Sequence, residues 1–128
     1  MNDEYICNWI KKADNDMKVA ENELYIGKDY VVTDAVCFHS QQAVEKYLKA
    51  FLIYKGIEFG KTHNLEYLLE LCIKIDPEFL KIEVGNLSFY AVELRYPDNF
   101  YIPSIEEAIE SYDIASKVKK FMLDKLRK

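Results

Sequence analysis

The sequence predicts an all-α fold, an up-and-down helical bundle of four to five helices. Apolar side chains recur every three or four positions along most of the chain, which is the period of an amphipathic helix. The 128 residues include only 4 Gly and 3 Pro, too few for an all-β chain that turns about every ten residues. Half of the residues are hydrophobic, as in ordinary globular proteins. At this length we expect one domain, residues 1–128, with one core.

The first and last helices are predicted from apolar stripes that stop at helix breakers. The first stripe ends before Gly27 and consists of Ile6, Trp9, Ile10, Ala13, Met17, Ala20 and Leu24. The last helix follows Pro103 and opens with Ser104 and Glu107, spaced as a capping box. Its stripe comprises Ile105, Ala108, Ile109, Tyr112, Ala115, Val118, Met122 and Leu126.

A second helix is predicted over residues 30–55, where apolar residues cover more than one stripe. A helix of this kind is either central in a bundle or faces another chain. We expect a homodimer through this helix, with Cys37, His39 and Ala43 among the contacts. Glu45 and Lys49 are four residues apart, which predicts an exposed ion pair contributing about 0.3–0.5 kcal/mol.

The third helix is predicted to begin after Thr62 or Asn64, either of which can cap it, and to end before Pro77. Gly85 falls inside a further segment with a helical pattern. We expect it either to kink that helix or to admit a closely packed neighbour.

The charge balance excludes general attraction to nucleic acid. The net charge is −5, so binding of RNA would need a local positive patch. The densest candidate patch is the basic C-terminal end, which also suits the negative end of a helix dipole. It contains Lys117, Lys119, Lys120, Lys125, Arg127 and Lys128.

Cysteine and histidine usage gives no sign of a metal or cofactor site. The three cysteines are far apart and form no CxxC pair, and the two histidines lie in no metal-binding motif. The sequence also lacks a signal-peptide pattern and an apolar run of the ~20 residues that span a bilayer. We therefore expect a cytoplasmic protein with no metal, no cofactor and no membrane contact.

Four motifs, taken in chain order, carry a resemblance to a known family. They are Trp9 with Ala13 and Asp16-Met17, then Gln41-Gln42-Ala43-x-Glu45-Lys46-x-Leu48-Lys49-Ala50, then Lys61-Thr62-His63-Asn64-Leu65, then Arg95-Tyr96-Pro97-Asp98. On these residues the chain resembles the HEPN domain family over nearly its whole length. The resemblance implies the helical bundle and dimerisation through the long helices.

Many members of this family are metal-independent ribonucleases that carry an Arg followed, after four to six residues, by a His. Counted from Arg95, the matching positions hold Phe100, Tyr101 and Ile102, and no histidine follows Arg95 anywhere. A tyrosine with a pKa of about 10 is a poor general base at neutral pH. We therefore assign no catalytic residue.

The resemblance implies a non-catalytic HEPN protein that binds nucleotide or substrate for a minimal nucleotidyltransferase, in a toxin–antitoxin-like pair. The candidate nucleotide and phosphate contacts are Arg95, Tyr96, Tyr101, Lys46 and His63. A guanidinium can grip a phosphate while tyrosine rings stack a base. Three of them also have a structural explanation: Arg95 can bond the last carbonyls of a helix, His63 can cap the third helix, and Lys46 can lie on a solvated face.

Two other functions fit the same residues. One is an RNA-cleaving toxin with an atypical site around Arg95 and Tyr101. The other is a structural dimerisation module in which the Arg95 motif only closes the bundle.

Overall fold

Five α-helices and one short 3-10 helix make up the described part of the chain, residues 3–27, 29–92 and 101–126 of a computed structural model. In order they are α1 (Asp3–Tyr25), α2 (Thr33–Tyr54), α3 (Leu65–Ile75), the 3-10 helix (Pro77–Lys81), α4 (Leu87–Val92) and α5 (Ile105–Leu126). These residues contain no strand, so the predicted all-α class is confirmed. Within these ranges, none of the helices is both long and apolar enough to cross a bilayer.

Helix α2 is the central element of the bundle. It packs against α1, α3, α4 and α5, and 13 of its 22 residues are buried. Its broad apolar surface is therefore explained by the central position. Cys37 and Ala43 are fully buried in the core of the chain itself, so the prediction that they contact a second copy is wrong. The side chain of His39 remains 29% exposed.

The helix ends follow the capping residues predicted from the sequence. The Asn64 side chain accepts a hydrogen bond from the Tyr67 amide at 3.0 Å and caps α3. At α5, the Ser104 hydroxyl accepts from the Glu107 amide at 3.0 Å, and the Glu107 carboxylate accepts from the Ser104 amide at 2.9 Å. This reciprocal pair is the predicted capping box.

Gly85 lies in the turn between the 3-10 helix and α4, so the prediction that it is inside a helix is wrong. Its φ of +53° is in the left-handed region, where a residue without a Cβ is unstrained. A Cβ at this position would lie 3.1 Å from Cδ1 of Ile114 on α5. The expected close packing of a neighbour is therefore present, although the helix around it is not.

Candidate functional site

An exposed group of aromatic rings lies where α5 begins, and we call Phe89, Tyr90 and Tyr101 the aromatic cluster. The Phe89 ring meets the Tyr101 ring edge-on at 5.7 Å between centroids, and meets the Tyr90 ring at 5.6 Å. Phe89 is 44% exposed and Tyr101 is 40% exposed, whereas Tyr90 is buried. The cluster thus presents two partly open rings to solvent, held by a third in the core.

Glu107 ties this cluster to the first turn of α5. The Tyr101 hydroxyl donates to Oε1 and Oε2 of Glu107 at 2.5 and 2.6 Å, and the Tyr90 hydroxyl donates to Oε2 at 3.3 Å. The Ser104 amide and these hydroxyls stabilise the carboxylate, which lowers the pKa of Glu107. Together with its place in the first turn of a helix, this keeps Glu107 ionised.

The same contacts make both tyrosines hold their protons more firmly. The hydrogen bond to Glu107 raises the pKa of Tyr101 because phenolate formation would break the bond and place two negative charges together. Burial raises the pKa of Tyr90, with the charge of Glu107 adding to the effect. At neutral pH these hydroxyls are therefore hydrogen-bond donors, not general bases.

A second polar group is centred on Asp16, which projects from α1 toward α2. Oδ1 of Asp16 lies 2.8 Å from Nδ1 of His39, and Oδ2 lies 2.6 Å from Nζ of Lys46. Asp16 is only 8% exposed. A carboxylate removed from water in this way needs charged and polar partners, and α2 provides both of them.

A third polar group is centred on Glu45 of α2. Its Oε1 lies 2.8 Å from Nδ1 of His63 and accepts from Nε2 of Gln41 at 3.1 Å, while its Oε2 accepts from Nζ of Lys49 at 3.0 Å. Glu45 and Lys49 are 4% and 7% exposed. The prediction of an exposed Glu45–Lys49 pair is therefore wrong, because neighbouring parts of the fold cover this face of α2.

Comparison with known proteins places these features in a family. The sequence model described as HEPN domain matches residues 6–126. This chain belongs to the HEPN domain family. The resemblance drawn from the four sequence motifs is thus confirmed.

Two relatives of this HEPN domain are informative. The chain is 32% identical over 108 residues to a Methanocaldococcus jannaschii protein named "Putative toxin MJ1304", covering 78% of this chain and 68% of that protein. It is also similar to the crystal structure of TT1696 from Thermus thermophilus, with a TM-score of 0.69 and 25% identity. That similarity covers 94% of this chain and 98% of the other.

Of the five predicted contacts of the HEPN domain, the three that the structure describes bind three different carboxylates. Arg95 and Tyr96 lie outside the described residues. Lys46 is bound to Asp16, His63 to Glu45, and Tyr101 to Glu107. His63 is a partner of a buried carboxylate, whereas the capping role belongs to Asn64.

Asp16 and Glu45 lie in the sequence motifs, but their contacts with Lys46 and His63 were not predicted from the sequence. Asp16 and Lys46 are 30 positions apart, and Glu45 and His63 are 18 apart, so no local spacing joins them. Phe89 lies in none of the four sequence motifs. The available signal for Glu45 was its placement four residues from both Gln41 and Lys49 on one helix face.

Proposed function

We propose that this HEPN domain is the non-catalytic, nucleotide- or substrate-binding partner of a minimal nucleotidyltransferase, in a toxin–antitoxin-like pair. The observation that carries the proposal is the exposed pair of rings, Phe89 and Tyr101. These two rings flank, in the sequence, the segment that contains Arg95 and Tyr96. The relative whose name describes a toxin supports the toxin–antitoxin-like context.

The non-catalytic role is supported by the missing histidine of the ribonuclease motif. No histidine follows Arg95 in the sequence, so the Arg and His pair of the ribonuclease members is incomplete. The hydrogen bond that the Tyr101 hydroxyl donates to Glu107 raises the pKa of Tyr101. Among the described residues, the start of α5 therefore offers tyrosine hydroxyls as donors and two exposed ring faces, while hydrogen bonds from Ser104, Tyr90 and Tyr101 occupy the carboxylate of Glu107.

The proposed binding mode combines stacking with charge. A base stacked on an aromatic side chain contributes about 1–3 kcal/mol, and the planar fork of Arg95 can bind a phosphate bidentately. The charge of Glu107 opposes a phosphate close to it, so we place the phosphate toward Arg95. Lys46 retains N–H donors beyond the one that Asp16 accepts, and the side chain of His63 is 62% exposed, so each can still bind a ligand group.

The proposal includes a homodimer that keeps His39 among its contacts but no longer Cys37 and Ala43. With Cys37 and Ala43 buried, a second copy can reach α2 only at its partly exposed positions, such as His39. Sedimentation at micromolar concentration should show a species of twice the chain mass of 15.1 kDa. A single species of the chain mass would contradict the dimer.

Calorimetry with ATP and other nucleotides tests the binding function. Arg95→Ala and Phe89→Ala should each weaken the affinity about tenfold, since each removes one contact of the kind estimated above. Tyr30→Ala is the matched control, because Tyr30 is 76% exposed and lies outside the aromatic cluster. Absence of saturable binding, alone and with a cognate nucleotidyltransferase, would contradict the proposal.

A second candidate is a metal-independent RNA-cleaving toxin, since the relative is named a toxin and the family resemblance implies ribonuclease activity in many members. Incubation with total RNA in the presence of a chelator distinguishes the two functions. RNA cleavage that is lost in Arg95→Ala and in Tyr101→Phe would establish the enzyme and overturn the non-catalytic proposal. If Arg95→Ala instead lowers the melting temperature and leaves nucleotide affinity unchanged, Arg95 acts only in closing the bundle.

A further inference from the structure

An open surface cavity between α1 and α2 contains one of the predicted contacts, Lys46, and four residues that were not predicted as contacts. It has a volume of about 230 Å³. Its lining residues are Tyr5, Asn8, Trp9, Lys12 and Lys46. The four from α1 follow the spacing of one helix face, and Lys46 is contributed by α2. We call it the Trp9 cavity.

The indole ring of Trp9 is held in place from two sides. The Tyr5 ring meets it edge-on at 6.4 Å and 88°, and Nζ of Lys49 lies 5.7 Å from its centroid. Lys49 is in turn fixed by Glu45 at 3.0 Å. A ring that is positioned before binding gives up little conformational entropy when a planar ligand stacks on it.

The charged groups of the Trp9 cavity leave room for an anion. Nζ of Lys46 is 2.6 Å from Asp16, but an ammonium group has three donors, so two remain. Lys12 is exposed and takes part in no ion pair within residues 3–27, 29–92 and 101–126. The described lining residues of the cavity therefore include two ammonium groups and no carboxylate.

We propose that the Trp9 cavity binds a mononucleotide, with the base on the Trp9 ring and the phosphate between Lys12 and Lys46. The Asn8 amide, which has both donors and an acceptor, is placed to bond the edge of the base. The cavity is smaller than the usual ligand pocket of about 300–1,000 Å³, so the sugar stays in solvent. This inference rests on the proposed nucleotide-binding function, but gives it a location apart from the aromatic cluster.

Fluorescence provides a readout that is specific for this cavity, because Trp9 is the only tryptophan in the chain. Excitation at the red edge of tryptophan absorption, where AMP does not absorb, should show saturable quenching as AMP is added. Adenosine and inorganic phosphate should each bind more weakly than AMP. Adenosine can stack on Trp9 but has no phosphate for the two lysines, and inorganic phosphate has no base for Trp9. Equal affinity for adenosine and AMP would overturn the role of the two lysines.

A matched pair of lysine variants tests the phosphate contact. Lys12→Ala should weaken AMP binding about tenfold through loss of a charge-assisted hydrogen bond. Lys11→Ala should leave it unchanged, because Lys11 is also exposed but does not line the cavity. The proposal would be overturned if both variants lost affinity for AMP equally, or if neither variant lost it. Melting temperatures verify that both variants are folded.

Calorimetry separates failure of this inference from failure of the proposed function. Heat of AMP binding that is lost in Phe89→Ala, with no change in Trp9 fluorescence, would overturn the Trp9 cavity and leave the aromatic cluster as the binding site. Quenching that is lost in Lys12→Ala and retained in Phe89→Ala would support the cavity. If addition of AMP gives neither heat nor quenching, both proposals are contradicted.

Discussion

Nδ1 of His63 lies 2.8 Å from Oε1 of Glu45, although the side chain of His63 is 62% exposed and that of Glu45 only 5%. The contact joins the loop before α3 to the buried face of α2. The other oxygen, Oε2 of Glu45, accepts a hydrogen bond from Nζ of Lys49 at 3.0 Å. One carboxylate therefore both neutralises a buried cation and anchors a surface loop.

Replacement of Glu45 by Gln should destabilise the protein strongly. Lys49 is 7% exposed, and in this variant its charge would be left buried beside the Trp9 and Phe59 rings without the anion that pairs with it in the described residues. Loss of one partner of a buried ion pair costs about 3 kcal/mol or more of unfolding free energy. Urea denaturation monitored by circular dichroism measures the change.

His63→Ala is the matched variant for the other side of Glu45. Because His63 is mostly exposed, its loss should cost less than about 1 kcal/mol. Equal destabilisation by Glu45→Gln and His63→Ala would show that burial of Lys49 is not what makes Glu45 important.

Two glycines with left-handed backbones separate conformational strain from crowding. Gly56 has a φ of +73° and open space where a Cβ would go, whereas a Cβ on Gly85 would lie 3.1 Å from Ile114. Alanine at either position should cost about 1 kcal/mol for the backbone alone. Gly85→Ala should cost about 1 kcal/mol more, because α5 must give way. Thermal unfolding of both variants measures the difference, and equal losses would contradict the close packing.

The three thiols should differ sharply in reactivity. Burial raises the pKa of Cys37 to about 11 and that of Cys72 to about 12, while Cys7 is exposed. The reactive species is the thiolate. Iodoacetamide at about pH 8 should therefore alkylate only Cys7 in the folded protein, and all three cysteines in urea. Mass spectrometry counts the adducts, and Cys7→Ser should remove the native one; native alkylation of Cys72 would disprove its burial.

Local patterns predicted the helices and their ends well. Ser104 and Glu107 form the capping box, and Asn64 caps α3, because capping depends on residues within one turn. The broad apolar surface of α2 also identified the central helix. These features are set by neighbours in the sequence, or by the total apolar area of one element.

The polar groups of the candidate site depend on contacts that local patterns do not contain. A spacing of four places Glu45 and Lys49 on one face, but it does not say whether other parts of the fold cover that face. The link between Asp16 and Lys46 joins two helices across 30 positions. Gly85 was placed inside a helix because its flanking residues have a helical pattern, whereas its φ of +53° puts it in a turn.

The Glu107 network should make stability depend on pH at the acidic end. Hydrogen bonds from the Ser104 amide and the Tyr101 hydroxyl lower the pKa of Glu107 in the folded state, relative to about 4.3 in the unfolded chain. A lowered folded pKa means that the stabilisation is complete above the unfolded value. It is lost as the pH falls through the folded value, where the carboxyl becomes protonated in both states.

Glu107→Gln should therefore lower the melting temperature at neutral pH, and the difference from wild type should shrink as the pH is lowered below about 4. Glu106→Gln is the matched control, because Glu106 occupies the same first turn of α5 but is exposed and outside the hydrogen-bond network. Melting temperatures measured across the acidic range test both variants. A gap between Glu107→Gln and wild type that stays constant with pH would mean that ionisation of Glu107 does not stabilise the start of α5.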